Sequence, residues 1–167
     1  EHLLALGHTR FAYVHAPLEL NFAFQRHRGF MAALAAHGLD CPPAYQVGHV
    51  QDRRSGLQAV QALLTMNPRP TAVLVDNNLG GVGILRGLMD AGLRVGQDIS
   101  VVVHGDIPED TLLTGMQVTT VTQPTPHTTG QALADMVFQV LHAPDDGPYH
   151  LLRQPGLQLG TTTGPRG

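Results

Sequence analysis

The chain has 167 residues, 43% hydrophobic and 14% charged, which is the length of one domain with enough apolar side chains to bury a core; no apolar run reaches the roughly 18 residues that cross a bilayer. Its net charge is −3 and its ten basic residues are all arginine, scattered along the chain, which excludes the basic patch that neutralises nucleic-acid phosphates. One cysteine, Cys41, rules out an internal disulfide framework and suits a reducing compartment.

The opening stretch, Glu1 to Gly7, lacks an initiator Met, a basic segment and a cleavage site, and reads as the last turns of a helix whose beginning is missing. Phe11 to Val14 is a first strand, followed by a loop at Pro17 and a helix from about Asn21 to His37 that should bury Phe30, Met31, Leu34 and Ala35, with Gly38 as its stop. Cys41, followed by two prolines, reads as a passive loop thiol. Tyr45 to Val50 is a weaker strand. A helix follows from Ser55, its expected N-cap, to Thr65, with Leu57, Val60, Leu63 and Leu64 at helical spacing.

Thr71 to Val75 is a continuous apolar run of the kind found inside a parallel sheet. The triplet Asp76-Asn77-Asn78 leads into a helix to Ala91, with Val82, Leu85, Leu88 and Met89 inward. Ile99 to Val103 is the next strand and runs into His104-Gly105-Asp106; a loop from Pro108 to Gly115 precedes a short strand at Val118 to Val121. Pro126 opens a helix to His142 with Leu133, Met136, Val137, Val140 and Leu141 on one face. Short strands are expected near His150 to Leu152 and Leu157 to Leu159. The alternation of strands and helices predicts an α/β fold with a parallel sheet flanked by helices.

The chemistry of catalysis is not visible. The ten histidines show no spacing that brings two ligands to one metal ion. There is no Gly-x-Ser-x-Gly elbow, and the two serines are Ser55 in a helix start and Ser100 in a strand. Gly81-Val82-Gly83 through Gly87 departs from the dinucleotide fingerprint, and Gly80, Gly81 and Gly83 read better as small residues that let a first helical turn approach the sheet. No metal, no cofactor and no enzyme activity are expected. Polar residues instead gather at the carboxyl ends of strands, where open α/β sheets bind ligands. Asn21, Phe22 and Arg26 follow the first strand, Asp76, Asn77 and Asn78 the third, and His104 and Asp106 the fourth. Amide, guanidinium and carboxylate converging on a cleft suit a polyhydroxylated ligand, although Asn77 or Asn78 could equally cap a helix.

These positions resemble the lactose-repressor/galactose-repressor family of transcription regulators. The resemblance runs through Leu6-Gly7-His8, Arg26-His27-Arg28-Gly29-Phe30, Pro70-Thr71-Ala72 to Asn77-Asn78, Ala91-Gly92-Leu93-Arg94-Val95 with Asp98-Ile99-Ser100, and Thr119-Thr120-Val121-Thr122-Gln123-Pro124. It implies a periplasmic-binding-protein-like fold of two subdomains around an effector cleft. Residues 1–121 would form most of the C-terminal subdomain, 122–148 a crossover and helix of the N-terminal one, and 149–167 a return. By that resemblance Arg26 holds effector hydroxyls bidentately, Asn77 binds them through its amide, Gln123 lies near the crossover and Phe22 on the cleft wall. The implied protein is a cytoplasmic, homodimeric repressor that senses a sugar or similar effector and binds operator DNA through a helix-turn-helix not in this sequence. A periplasmic sugar-binding protein of a transporter would share the fold.

Two departures stand out. The family's Gly-(Phe/Tyr)-Asp-Asp is Val103-His104-Gly105-Asp106 here, and Asn78 stands where an aspartate is usual. Both remove a carboxylate from the cleft, and His104 could compensate because its ring both donates and accepts.

Overall fold

The computed structural model describes residues 1–108, 111 and 115–166; most of the loop expected between Pro108 and Gly115 lies outside them. A single six-stranded sheet has the order β2-β1-β3-β4-β5-β6, with β1 at Phe11–Val14, β2 at Gln46–Val47, β3 at Ala72–Val75, β4 at Ser100–His104, β5 at Thr119–Thr122 and β6 at Gly156–Gln158. All neighbours through β5 are parallel and β6 joins antiparallel. Around it lie α1 (His2–Ala5), α2 (Asn21–Ala35), α3 (Arg53–Thr65), α4 (Asn78–Asp90) and α5 (Pro126–His142).

The central strands are apolar throughout because both faces are covered. Period-2 alternation divides them: Ala12, Val14, Val73, Val75, Val101 and Val103 pack with Val60, Leu63, Ile84, Leu85 and Leu88 of α3 and α4. Phe11, Tyr13, Ala72 and Val102 pack with Leu34 of α2 and Leu3 of α1. The chain leaves β1 for β2 on one side and returns to β3 on the other, so the order reverses between β1 and β3. Their carboxyl ends therefore flank the crevice in which this architecture seats ligands.

Several elements differ from expectation. In α2 the buried residues are Ala23 and Leu34, with Phe30 and Met31 partly covered and Ala35 exposed. Strand β2 is only two residues long, because His49 takes a positive φ of 63°, yet Val47 O and Val50 N still bond His15 and continue the edge. Asp52, not Ser55, caps α3: Ser55 sits three residues on and completes a capping box. Leu57 is 48% exposed. The strand expected at His150 to Leu152 does not form, and Leu152 is almost wholly exposed. Helix α5 buries none of its side chains, and Leu133, Val137, Val140 and Leu141, expected on one face, are exposed.

The glycines of α4 do more than approach the sheet. A Cβ on Gly81 would meet Val103, but one on Gly83 would overlap Arg53 O and come within 2.7 Å of Leu57 N, and one on Gly87 would meet Val60. On α3, a Cβ at Gly56 would overlap Gly80 O. The two helices thus touch backbone to backbone. At the opposite end of the sheet His8 ties three segments together: its Nε2 lies 3.0 Å from both Ser100 Oγ and Gly164 O, and its Nδ1 lies 3.0 Å from Thr71 Oγ1.

Candidate functional site

At the mouth between β1 and β3, Asp76 is 1% exposed. Both its oxygens accept from Ala16 N, at 3.1 and 3.0 Å, and Oδ1 also accepts from Asn77 Nδ2 at 2.8 Å. Burial pushes its carboxyl up, while the Asn77 amide, the Ala16 N–H and nearby Arg26 hold it down. Asn77 is the N-cap of α4: its Oδ1 accepts from Gly80 N at 2.7 Å and its Nδ2 donates to Val50 O at 2.8 Å as well as to Asp76. Both amide protons are taken by the scaffold. These two residues lock the ends of β1 and β3 and the approach to α3 into one rigid floor.

Arg26, one turn into α2, lies above that floor. One guanidinium nitrogen donates to Asp76 O at 2.6 Å, and the guanidinium lies over the Phe22 ring, 4.9 Å from its centroid. Phe22 is itself 42% exposed, so its ring both holds Arg26 and offers a flat apolar wall. Asn21 is exposed and its amide oxygen accepts from Gln25 Nε2 at 3.5 Å.

The second cluster lies at the ends of β4 and β5. Gln123 Nε2 donates to His104 Nδ1 at 2.7 Å. Burial, reinforced by the positive charge of Arg26, pushes the His104 ring down to about 4. The imidazole is neutral near pH 7, and since Nδ1 accepts, its proton sits on Nε2 as a donor. Asn78 Nδ2 reaches Asp106 O at 3.1 Å. Gly105 between them has φ 94°, a left-handed conformation that disfavours an aspartate there. The structure thus brings Arg26, Phe22, Asp76 and Asn77 together, and places His104 with Gln123 and Asn78 with Asp106 beside them.

Sequence reasoning missed Tyr13. Its ring is fully buried, stacked 4.7 Å from Phe30 and 5.5 Å from His15, with His27 also 5.5 Å away at a tilt. Its hydroxyl is the one buried side-chain polar atom without a hydrogen-bond partner among the described residues, and burial, reinforced by Asp76 and opposed by Arg26, pushes its ionisation well above the usual range. A tyrosine in a strand covered on both faces must place its hydroxyl somewhere, and that was the available signal. Cys41 is buried and its thiol is pushed up to about 11, consistent with an inert side chain. Among the described residues no group of three or more His, Cys, Asp or Glu is placed to hold a metal ion, and no helix is long and apolar enough to cross a membrane.

A family model described as a periplasmic binding protein-like domain matches residues 1–163. The chain belongs to that family. Among the relatives of this periplasmic binding protein-like domain are regulators of the lactose-repressor group. It is 30% identical to the HTH-type transcriptional regulator RafR of Escherichia coli, over 96% of this chain and 47% of that protein. It is 33% identical to the ribose operon repressor of Escherichia coli strain K12, over 95% of this chain and 44% of the repressor. The crystal structure of the lac repressor dimer bound to operator and the anti-inducer ONPF superposes with a TM-score of 0.85 at 30% identity, over 98% of this chain and 55% of that one. The chain spans about half the length of these curated relatives.

The histidines of this periplasmic binding protein-like domain set its response to acid. His104 and His8 both bind a proton less readily in the folded chain than at their ordinary 6.5, chiefly through burial. The unfolded state therefore takes up more protons below that pH, and stability that is complete above 6.5 is lost as pH falls through about 4. Asp76, whose carboxyl is raised, opposes this only in the carboxylate range. Thermal unfolding from pH 7.5 to pH 4.5 should show the midpoint falling below about pH 6.5, and less steeply in a His104→Asn variant. A midpoint that rises with acidity would contradict this assignment.

Proposed function

We infer that the chain is the effector-sensing part of a transcription regulator, acting without catalysis: a small polar effector, most simply a sugar, binds at the carboxyl ends of β1, β3 and β4 and alters operator affinity. The observation that carries this is the Arg26 guanidinium, held on Asp76 O and over the Phe22 ring at the carboxyl ends of β1 and β3, where the strand order reverses. The relatives' identity as regulators supports it. On this reading the regulator is cytoplasmic and dimeric, and a helix-turn-helix elsewhere in the full protein, not this acidic region, contacts DNA.

Residues 1–121 and 149–167 then form the C-terminal subdomain, and 122–148 belong to the N-terminal one, a reading supported by the apolar, exposed side chains Leu133, Val137 and Leu141 of α5. Within the site, Arg26, Phe22, His104 and Gln123 make direct contacts with effector, joined by Asn21, Asn78 and Asp106 at the rim. Asp76 and Asn77 act mainly as positioning residues, since their polar atoms serve the scaffold.

The test is effector binding to the full-length protein by calorimetry and thermal shift. A saturating sugar, at about a hundred times its Kd, should stabilise it by about 2.7 kcal/mol. If sugars bind but the purified protein has no DNA affinity, the reading as a solute-binding protein of a transporter replaces this one.

A further inference from the structure

One polar atom of the interior serves no bond of the fold. The Tyr13 side chain is fully buried, and its hydroxyl has no hydrogen-bond partner among the described residues. Its ring is held in place: it lies 4.7 Å from Phe30 and 5.5 Å from His15, nearly parallel to each, with His27 tilted against it at 5.5 Å. Both imidazoles are engaged elsewhere, His15 Nδ1 with Ala16 O at 2.7 Å and His27 Nε2 with Gln46 Oε1 at 2.9 Å. A phenol packed in this way cannot swing out to water, and a buried hydroxyl without a partner costs stability.

The hydroxyl lies under the floor of the crevice. Tyr13 belongs to β1, whose chain runs on through His15 to Ala16, the residue whose N–H the Asp76 carboxylate holds. The charged groups that act on the phenol are Asp76 and Arg26, and Tyr13 acts in turn on Arg26. The Asp76 carboxylate is turned to Ala16 N and Asn77 Nδ2, contacts that belong to the scaffold. Arg26 is the movable part. It is anchored on a carbonyl, Asp76 O, and on the exposed Phe22 ring, contacts that a ligand can exchange.

We propose that Tyr13 is the deepest binding group of the effector crevice: when Arg26 leaves Asp76 O for the effector, the phenol O–H donates to one effector hydroxyl and so sets which sugar is accepted. This rests on the effector-sensor reading above and deepens it by naming a specificity-determining residue. The phenol is dry and unpaired before binding, so its bond to the effector replaces no bond between the protein and water. An analogue that lacks the matching oxygen leaves it unpaired.

The experiment uses the full-length protein and its Tyr13→Phe variant, with D-ribose, D-galactose, D-glucose and their singly deoxygenated analogues as calorimetric probes. In the wild type, one deoxygenated analogue of the sugar that binds should be at least about tenfold weaker than its parent through this contact. In Tyr13→Phe that difference should all but vanish while the differences at the other positions persist, a pattern that a purely structural role of the ring would not produce. Without sugar, Tyr13→Phe should raise the thermal midpoint, since it removes the unpaired hydroxyl and keeps the stacked ring. If every difference survives the substitution, or if the sugar-free midpoint falls, the inference is overturned and the sensor reading stands. No binding by any sugar of the panel overturns both.

Discussion

Gly83→Val should cost the domain at least about 3 kcal/mol, a drop in thermal midpoint on the order of 6 to 12 °C for a chain of this size. The cause is the packing of α3 on α4, the closest helix pair in the molecule. A Cβ at Gly83 would overlap the backbone oxygen of Arg53 and stand 2.7 Å from Leu57 N, and these are backbone atoms of a facing helix that cannot rotate away. In an isolated helix valine would be better than glycine by several tenths of a kcal/mol, so the predicted sign reverses the local preference, and sterics decide it. Gly29→Ala in α2 is the control. Nothing lies within 4 Å of its Cβ, and the change should be stabilising by about 0.5 to 1 kcal/mol. Equal effects at Gly83 and Gly29, measured by thermal or urea unfolding, would refute the close approach.

Arg26→Ala should weaken effector binding by roughly a hundredfold or more, about 3 kcal/mol, with a small loss of stability. Stability is little affected because the Arg26 hydrogen bond to Asp76 O joins a floor already held by Asp76, Ala16 and Asn77. Binding is strongly affected because Arg26 is the one guanidinium seated over that floor. Arg26→Lys should recover only part of the affinity, since a point charge cannot reproduce two parallel donors. Phe22→Ala, which removes the ring beneath the guanidinium, should cost less than Arg26→Ala. Calorimetric titration of all three variants checks the order, and an unchanged Kd for Arg26→Ala would remove it from the site.

Much of the fold is legible in the sequence, for identifiable reasons. Val73 to Val75 and Val101 to Val103 are unbroken apolar runs, which only a strand covered on both faces explains, and both became central strands. What the sequence hides is position relative to partners. The helical period of α5 shows that Leu133, Val137 and Leu141 share a face, but not what covers it, and in this chain they are exposed. Asp52 and Ser55 are both good caps, and three-residue spacing decides only once the helix start is known. The site is similar. Asp76, Asn77 and Arg26 were visible as polar groups near strand ends, but the partners that turn Asp76 and Asn77 toward the scaffold, Ala16 and Val50, are 60 and 27 residues away in the chain. Tyr13 is easily passed over because every position of its strand is buried, and its hydroxyl is the single polar signal in that run.

The most direct test of the sensor reading is an operator-binding titration of the full-length protein, on the DNA upstream of its own gene, with and without the sugar that calorimetry selects. Sequence-specific binding is expected, with an affinity that the sugar changes by about 5- to 150-fold, a coupling of about 1 to 3 kcal/mol, and a change that Arg26→Ala abolishes while DNA binding without sugar persists. Operator affinity that is indifferent to a sugar the protein demonstrably binds would contradict it.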